Sequence, residues 1–398
     1  MKVDRFTGLD NQNNDADEEG LQPGTLKEAS NCYVDDNGWM VRRDGFALAS
    51  AGVYTSLWKG TSLQLAVLAG DLVKVGGGTL HASVGTARMW FEELPDGRVV
   101  YSNGTAMGVV NAAGSSRLPW GVPVPIGAGS GADTAGSLAP GTYRWCVTHR
   151  RTSDGLEGGP AYSGTLAVTL GGVALTSLPT LADHTLNVYI TTPDGTEQFY
   201  AGNTATSSFT LTSSASRVRR CMTHYCKAPL SGGILPRFWR GRMLLAVGDT
   251  LYATKARTLH LFNVKEDARR FGGTITMIQP VTSGVWVGTT EGLYYLGSGS
   301  QFDGLAMARK IDGPVLLGSG VAVRGGALVR MGSNGPGSAG DGNDGALCIA
   351  ARAITACYED GSCNAITDQR YLVSSSITSV AAAVIEDGPL SQYIAIPQ

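Results

Sequence analysis

The sequence predicts an all-β protein: a β-propeller of about six blades, interrupted by an immunoglobulin- or fibronectin-like β-sandwich and preceded by an extended N-terminal arm. Three observations lead there. Of 398 residues, 55 are Gly and 16 are Pro, while charged residues make up only 16%, a blend rich in turns and poor in the Leu, Glu, Lys and Ala of helical proteins. Short apolar runs joined by Gly, Asp or Asn turns return along the chain as β-hairpins. Neighbouring copies stand roughly 30 to 45 residues apart, the period of a propeller or another array of small sheets.

The arm spans residues 1–30. Its opening "MKVDRFTGLDNQNNDADEEG" lacks the apolar core of a signal peptide. Its anchors Phe6, Leu9, Leu21 and Leu26 are scattered among Asp, Asn and Glu, too few to bury against their own domain. They are expected to form a subunit interface, the arm being ordered by contact with a neighbour. Asp15, Asp17, Glu19 and Gly20 have the spacing of the start of an EF-hand loop, but Leu26 stands at the twelfth position where a bidentate Glu is required, so a solvated arm is the better reading.

Residues 31–120 form the first part of the propeller, with hairpins in "LQLAVLAGDLVKV" (Leu63 to Val75) and "GRVVYSNGTAMGVV" (Gly97 to Val110). The second part, residues 226–398, carries "RMLLAVGDTLYAT" from Arg242, "GVWVGTTEGLYYLG" from Gly284, "GVAVRGGALVRMG" from Gly320, "ALCIAARAITACYEDG" from Ala346 and "AAAVIEDGPLSQYIAI" from Ala381. The copies near Gly325 and Arg352 are close enough to belong to one irregular blade. An isolated hairpin buries neither face well, so each copy needs a neighbour to stack on. Closure of the ring should pair a strand near Trp39 to Phe46 with C-terminal strands, since an open propeller exposes its edges.

Between the hairpins at Asn103 and Gly248 lie about 145 residues, one interval too long by a small domain. Its first stretch, "LPWGVPVPIGAGSGADTAGSLAPG" (Leu118 to Gly141), reads as a Pro/Gly/Ser linker. Then come "TYRWCVTHRR", "GTLAVTL", "VALTSLP", "HTLNVYITTPDGTEQFYAG" and "SSFTLT", short alternating strands with turns between them. Residues 121–225 are therefore an inserted sandwich whose ends lie close together on the host.

Signals for chemistry are sparse. Cys221, His224 and Cys226 in "CMTHYC" and Cys357 and Cys363 in "CYEDGSC" include metal-ligating types, but no fourth ligand has finger-like spacing, and neither a metal nor a cofactor is expected. The seven Cys form no regular framework and read as reduced, mostly buried thiols. "GAGSGAD" at Gly127 lacks the Lys-Ser/Thr of a phosphate-binding loop. There is no G-x-S-x-G or H-E-x-x-H motif and no grouping of acids such as a propeller glycosidase needs. The formal net charge is −2, and basic residues cluster only as the pairs Arg42/Arg43, Arg150/Arg151, Arg219/Arg220 and Arg269/Arg270, which argues against tight nucleic-acid binding. Arg42 and Arg43 beside Asp44 could touch DNA, although a local ion pair is the more common use of such a group. No apolar stretch is long enough to span a bilayer, so no membrane insertion is expected.

The N-terminal segment also carries a resemblance. Phe6, Gly8 and Leu9, then Leu21, Gly24, Leu26, Ala29 and Asn31, then Gly38, Arg43, Gly45 and Phe46 form a skeleton similar to the opening of a group of bacteriophage virion proteins: an arm, a short "LKEASN" helix, and a hairpin closing on an Arg-x-Gly-aromatic corner. "GTYRWCVTHRRTSDGLEGGP" followed by "NVYITTPDGTEQFYAG" resembles the fibronectin-like module that such proteins carry between propeller blades, although "NVYIT" lacks the Arg that tends to precede the Tyr. In the order of its parts the chain resembles the tail nozzle or tail hub proteins of short-tailed phages.

That resemblance implies a non-enzymatic structural protein of the virion neck or tail, made in the bacterial host cytoplasm. It implies self-association into a ring, most simply a hexamer, that extends the portal and adaptor channel, contacts tail fibre or spike proteins, retains packaged DNA and conducts it during ejection. A lumen that lets a polyanion slide should be acidic or mixed in sign. Two alternatives stay open: a receptor-binding or fibre-attachment component that uses the insert, and a propeller enzyme acting on host polysaccharide.

Overall fold

The computed structural model describes residues 8–12, 25–26, 29, 32–34, 37–42, 51–214, 219–297, 299, 301–328, 343–387 and 390–398. Among them every regular element is a β-strand, as expected of an all-β chain, and no helix is long and apolar enough to cross a membrane. The chain divides into two compact units: Tyr54–Val247 with Leu251–Arg269, and Met1–Val53 with Gly248–Thr250 and Arg270–Gln398.

In the arm, β1 (Gly8–Leu9) pairs in parallel with β2 (Thr25–Leu26), and β3 (Cys32–Val34) pairs with β4 (Met40–Arg42) as an antiparallel hairpin. Asn11 docks on the C-terminal part of its own unit. Its amide donates to the Arg370 carbonyl at 2.8 Å, its side-chain Nδ2 donates to the Leu372 carbonyl at 3.0 Å, and its Oδ1 accepts from the Leu372 amide at 3.0 Å. Asn11 of the arm is thus held by its own chain. Of the expected "LKEASN" helix, Leu26 is strand and Ala29 lies outside regular structure; its other residues fall outside the described ones. So do Arg43, Asp44 and the acidic loop, and the strand expected to close on C-terminal strands pairs, as far as Arg42, with β3.

The first unit opens with two four-stranded antiparallel meanders. β5 (Tyr54–Lys59), β6 (Gln64–Leu68), β7 (Asp71–Lys74) and β8 (Thr79–His81) form one; β9 (Trp90–Glu93), β10 (Val99–Ser102), β11 (Met107–Val110) and β12 (Arg117–Leu118) form the next. Strand β10, "VVYS", is buried at every position because both faces are covered. Val99 and Tyr101 enter a cluster with Leu65, Val67 and Leu72 of the first meander, while Val100 enters another with Met243, Leu245 and Phe262. Gly108 lies opposite Tyr101 in the ladder, and a Cβ there would collide with the Tyr101 ring and hydroxyl. The missing side chain makes the space in which Tyr101 lies and reaches His81 Nδ1 at 2.8 Å.

A seven-stranded module comes next. β13 (Ser130–Ala135), β14 (Gly141–Arg151), β15 (Glu157–Val168), β16 (Gly171–Thr176), β17 (His184–Thr191), β18 (Gln198–Thr204) and β19 (Phe209–Leu211) form a three-stranded sheet, β13-β16-β19, and a four-stranded sheet, β15-β14-β17-β18. Tyr143, Trp145 and Val147 of β14, Val173 and Leu175 of β16, and Leu186, Val188 and Ile190 of β17 share one core between the sheets. Their spacing of two is the strand period. Trp145 Nε1 donates to the Ala128 carbonyl at 2.8 Å, and the Tyr143 hydroxyl donates to Ala139, four residues upstream, at 2.8 Å. The Pro/Gly/Ser stretch read as linker is only partly one: β13 lies inside it, hidden because "SGADTA" offers no apolar alternation.

The unit ends with β20 (Cys226–Lys227), β21 (Ile234–Trp239), β22 (Arg242–Val247), β23 (Thr250–Ala253), β24 (Phe262–Asn263) and β25 (Ala268–Arg270), of which β21-β22-β23-β25 is a third meander and β20-β24 a separate pair.

The other unit holds two more meanders: β26 (Ile275–Pro280), β27 (Val285–Thr289), β28 (Gly292–Gly297), β29 (Ala306–Asp312), then β30 (Val321–Leu328), β31 (Asn343–Ala350), β32 (Ala353–Tyr358), β33 (Cys363–Ala365). A terminal pair, β34 (Val380–Asp387) with β35 (Leu390–Pro397), packs on the second through Leu316, Ile349, Val380 and Tyr393. β27 and β28 are wholly buried, and Trp286, Leu293 and Tyr295 meet Ala346, Cys348 and Cys357. A large aromatic removes roughly 150–250 Å² from water, about 4–6 kcal/mol before entropy is charged against it. Over its described residues the hairpin expected from Gly320 is a single strand: "VAVRGGAL" is β30, paired with β31 at both ends with a register shift between Val323 and Leu328 across its glycines, so it shares one sheet with the Ala346 hairpin. Residues 329–332 of the expected hairpin lie outside the described ones.

Candidate functional site

The first unit contains a cleft of about 240 Å³ where the second meander, the third meander and the β14–β15 hairpin of the module converge. Its floor is apolar. Leu94, Val100 and Trp120 are buried there, with Val109, Leu156 and Leu259 beside them. Trp120 is fixed by its Nε1, which donates to the Leu259 carbonyl at 2.8 Å, and by edge-to-face contact with Phe262.

Arg98, Arg117, Arg151 and Arg257 are among the residues that line the cleft, though the strand register turns Arg117 to the face of Val110 and Tyr101 rather than to the floor at Val100 and Val109. Arg151, at the end of β14, is fully engaged. Its Nε and Nη2 grip both carboxylate oxygens of Asp154 at 3.0 and 2.6 Å, and its Nη1 donates to the carbonyls of Pro119 and Gly121 at 2.9 and 3.0 Å. One side chain thus ties the module's hairpin to the chain that leads into it. Burial works against the Asp154 carboxylate, but hydrogen bonds from Arg151 and the Leu156 amide outweigh it and hold the carboxyl below its usual range. Arg98 is paired with Asp96 at 2.7 Å. Arg117 and Arg257 have no side-chain hydrogen bond or ion pair among the described residues. His260 donates from Nε2 to the Glu157 carbonyl at 3.0 Å; burial, aided by the charge of Arg151, holds its pKa below the usual imidazole value, so it is neutral at pH 7.

A second polar cluster covers the outer face of the module's four-stranded sheet. Glu157 Oε1 accepts from Thr148 and Tyr189 at 2.5 Å each, and its Oε2 accepts from Arg219 at 2.7 Å. Cys146 and Cys221 lie buried beside Tyr189 and Tyr200. Their mutual hydrogen bond, reinforced by burial, pushes the Cys146 thiol up. Segment 219–226 reaches this face along the edge of β18, where the Tyr200 amide donates to the Arg219 carbonyl at 2.7 Å and the Cys221 amide donates to Gln198 at 3.0 Å. Gly159 lets it come close: a Cβ there would meet the Cys226 carbonyl.

The residues singled out in the sequence are dispersed. Leu9 is 36% exposed and Leu26 half-buried, while Phe6 and Leu21 lie outside the described residues. Cys221 joins Cys146, His224 Nδ1 bonds the Tyr162 hydroxyl at 2.7 Å, and Cys226 sits in β20, so "CMTHYC" does not converge on one point. Cys357 faces Cys363 across the β32–β33 ladder and lies 3.8 Å from Cys348. All seven cysteines are free thiols, and among the described residues no group of three or more His, Cys, Asp or Glu is arranged to hold a metal ion. The cleft was missed because its arginines come from four separate stretches of chain; only the turn "RRTSD", with Arg151 three residues before Asp154, carried a local signal.

No protein-family model and no curated protein matches the chain. Among solved structures it is similar to the computationally designed Ika8 protein, with 11% identity over 83% of this chain and 90% of that one at a TM-score of 0.26. It is also similar to the extracellular domain of the one-component system BT4673 from B. thetaiotaomicron, with 7% identity over 71% of this chain and 42% of that one at 0.22. A third is PorZ, a surface component of the type-IX secretion system of Porphyromonas gingivalis, with 12% identity over 89% and 52% at 0.20. At such TM-scores these likenesses carry no argument about fold or function.

Proposed function

We propose that the chain is a structural subunit of a bacteriophage tail, a nozzle or hub protein that closes with its copies into a ring for the passage of DNA. In this reading the meanders are blades of one β-propeller, and the module between the second and third is an immunoglobulin- or fibronectin-type insert. The observation that carries it is the order of parts: two four-stranded meanders, a seven-stranded two-sheet module, three more meanders and two-stranded pairs near both ends of the chain. The Tyr143 hydroxyl bonded back to Ala139 supports the insert's assignment, since such a corner recurs in immunoglobulin-type sandwiches. The near-neutral charge supports a conduit rather than a DNA binder, because each retained Lys or Arg contact to phosphate would slow a sliding polyanion. The role is mechanical, and no catalytic step is assigned to it.

Native mass spectrometry of the purified chain at micromolar concentration tests the proposal. A discrete cyclic oligomer, most simply a hexamer, is expected, because head-to-tail contacts that close are how identical subunits make an annulus. A monomer that persists at all concentrations, with and without phage portal and adaptor proteins, would contradict it.

A further inference from the structure

We propose that Cys357 and Cys363 form an oxidation site: exposed to hydrogen peroxide they join as a cross-strand disulfide that staples the edge strand β33 to β32, while Cys348 beside them stays a thiol. The proposal is independent of ring assembly and rests on three observations.

The first is register. Cys357 and Cys363 stand directly opposite each other in the antiparallel β32–β33 ladder, and both pack in the cluster of Trp286 and Tyr295. The next pair along is hydrogen-bonded, the Tyr358 amide donating to the Ser362 carbonyl at 2.9 Å. So is the pair at the other end, where the Ile366 amide donates to the Ile354 carbonyl at 2.7 Å. The two kinds of pair alternate along such a ladder, so Cys357 and Cys363 are a non-hydrogen-bonded pair, the closer kind, with Cα atoms about 4.5 Å apart. A disulfide accepts Cα separations of roughly 4.4–6.8 Å. Cys348 is placed otherwise. Its Sγ lies 3.8 Å from that of Cys357, but it stands opposite Thr355 and is only a diagonal neighbour. Diagonal Cα atoms are about 7–8 Å apart, more than the bond spans without backbone movement.

The second is pre-organisation of the turn between the two thiols. Trp286 Nε1 and the Gly361 amide donate to the Tyr358 carbonyl at 3.0 and 3.2 Å, and the Tyr295 hydroxyl donates to the Glu359 carbonyl at 2.9 Å. Gly361 has a φ of +79°, and a Cβ there would meet the Tyr295 ring. The hairpin therefore holds the sulfurs together before any bond forms.

The third is access. Cys348 and Cys357 are fully buried, whereas Cys363 is half-buried on an edge strand of three residues, so an oxidant meets Cys363 first. Burial, with Cys348 nearby, holds the Cys363 thiol above its ordinary pKa against the charge of Lys310, so the resting form is the thiol and reaction quickens as pH rises.

The chemistry balances with peroxide as the oxidant. The Cys363 thiolate attacks one peroxide oxygen: an S–O bond forms, the O–O bond breaks, and the departing hydroxide takes up the thiol's proton, leaving a sulfenic acid and water. The Cys357 sulfur then attacks the sulfenic sulfur: an S–S bond forms, the S–O bond breaks, and the hydroxide leaves as water with the Cys357 proton. Two thiols lose two electrons and one peroxide becomes two waters.

The test is peptide mapping by mass spectrometry of the folded full chain, treated with hydrogen peroxide at about pH 8.5, where more thiolate is present, and then alkylated in denaturant. A Cys357–Cys363 link is expected, at least about tenfold more abundant than any Cys348–Cys357 link, with Cys348 recovered alkylated. In Cys363→Ser no link should form between Cys348 and Cys357. Hydrogen exchange in segment 354–366 should slow at least about fivefold on oxidation and recover with dithiothreitol, because the staple stops the edge strand from opening alone. Absence of the Cys357–Cys363 link in the folded chain, a Cys348–Cys357 link in equal yield or in Cys363→Ser, or exchange in segment 354–366 unchanged by the link would each overturn the proposal.

Discussion

The meanders and the two-sheet module cover their sheets differently. In the meanders, β10, β27 and β28 are buried at every position, and their residues alternate between two apolar clusters or two covered faces. In the module, the four-stranded sheet has one apolar face, with Tyr143, Trp145, Val188 and Ile190 turned to the core, and one polar face, where Glu157, Thr148, Tyr189 and Cys146 interlock. The meanders carry charged pairs, Arg242 with Asp267 and Arg237 with Glu92, but the larger polar networks collect on the module's outer face and in the cleft beside it. The stacked sheets are held by non-directional burial and the module's attachment by directional hydrogen bonds, which should fail in different ways.

The largest effect is expected in a meander. Trp286 is fully buried and donates from Nε1 to the Tyr358 carbonyl at 3.0 Å, so Trp286→Ala leaves a large cavity and removes one of that carbonyl's hydrogen bonds, the Gly361 amide remaining. A loss of about 3–5 kcal/mol in chemical denaturation is expected. A loss below about 1 kcal/mol would mean that this stack is not a packed core.

Next comes the attachment of the module. Arg151→Met keeps most of the apolar stem but strands the Gly121 carbonyl and takes the guanidinium from the Pro119 carbonyl and the Asp154 carboxylate, which keep only the Gly121 and Leu156 amides. The expected loss is about 2–4 kcal/mol, with protease cleavage appearing first in residues 119–129. Cleavage distributed evenly along the chain would show that Arg151 is not what holds that segment.

Gly108→Ala pushes a methyl into the Tyr101 ring and hydroxyl and should cost about 1–3 kcal/mol. Combining it with Tyr101→Ala should recover part of what the two single losses sum to, since the clash disappears with the ring. Simple additivity would place the strain elsewhere.

The smallest effect is the pH dependence carried by His260. Its folded-state pKa lies below its unfolded value of about 6.5, so the unfolded chain binds the proton more readily. The stability that comes from keeping it neutral is complete above the unfolded value and is lost as pH falls through the folded one. Tm should therefore drop between pH 7 and 5, and His260→Gln, which can still donate to Glu157, should flatten that slope. Burial lowers the His81 and His224 values as well, so a residual slope is expected. An identical slope in wild type and His260→Gln would remove His260 from the account.

The same contrast explains what could be read from the sequence. Hairpins β10–β11, β22–β23, β27–β28 and β31–β32 were legible because each contains a largely buried strand written as an apolar run, whereas β6–β7 and β34–β35, less buried, were legible from apolar runs on either side of an Asp-containing turn. This holds even where the turn is poorly marked: β31 and β32 meet at Ala351 and Arg352, both at positive φ, without Asn or Gly. β13 was not legible, because six small and polar residues become a strand only by pairing with β16. The glycines of β30 looked like a turn and instead lie at a register shift inside one strand, whose two ends pair with β31. The site was hardly legible at all. Glu157 and Arg219 are 62 residues apart, and the cleft draws on residues from 94 to 260.

The central claim is that stacked meanders and an inserted module serve a ring through which DNA passes, and cryo-electron microscopy of the assembled particle at side-chain resolution tests it most directly. The account predicts a closed ring of identical subunits around a central passage, with a lumen acidic or mixed in sign and no continuous basic stripe. A closed disc without a passage, or a lumen paved with Arg and Lys, would contradict it.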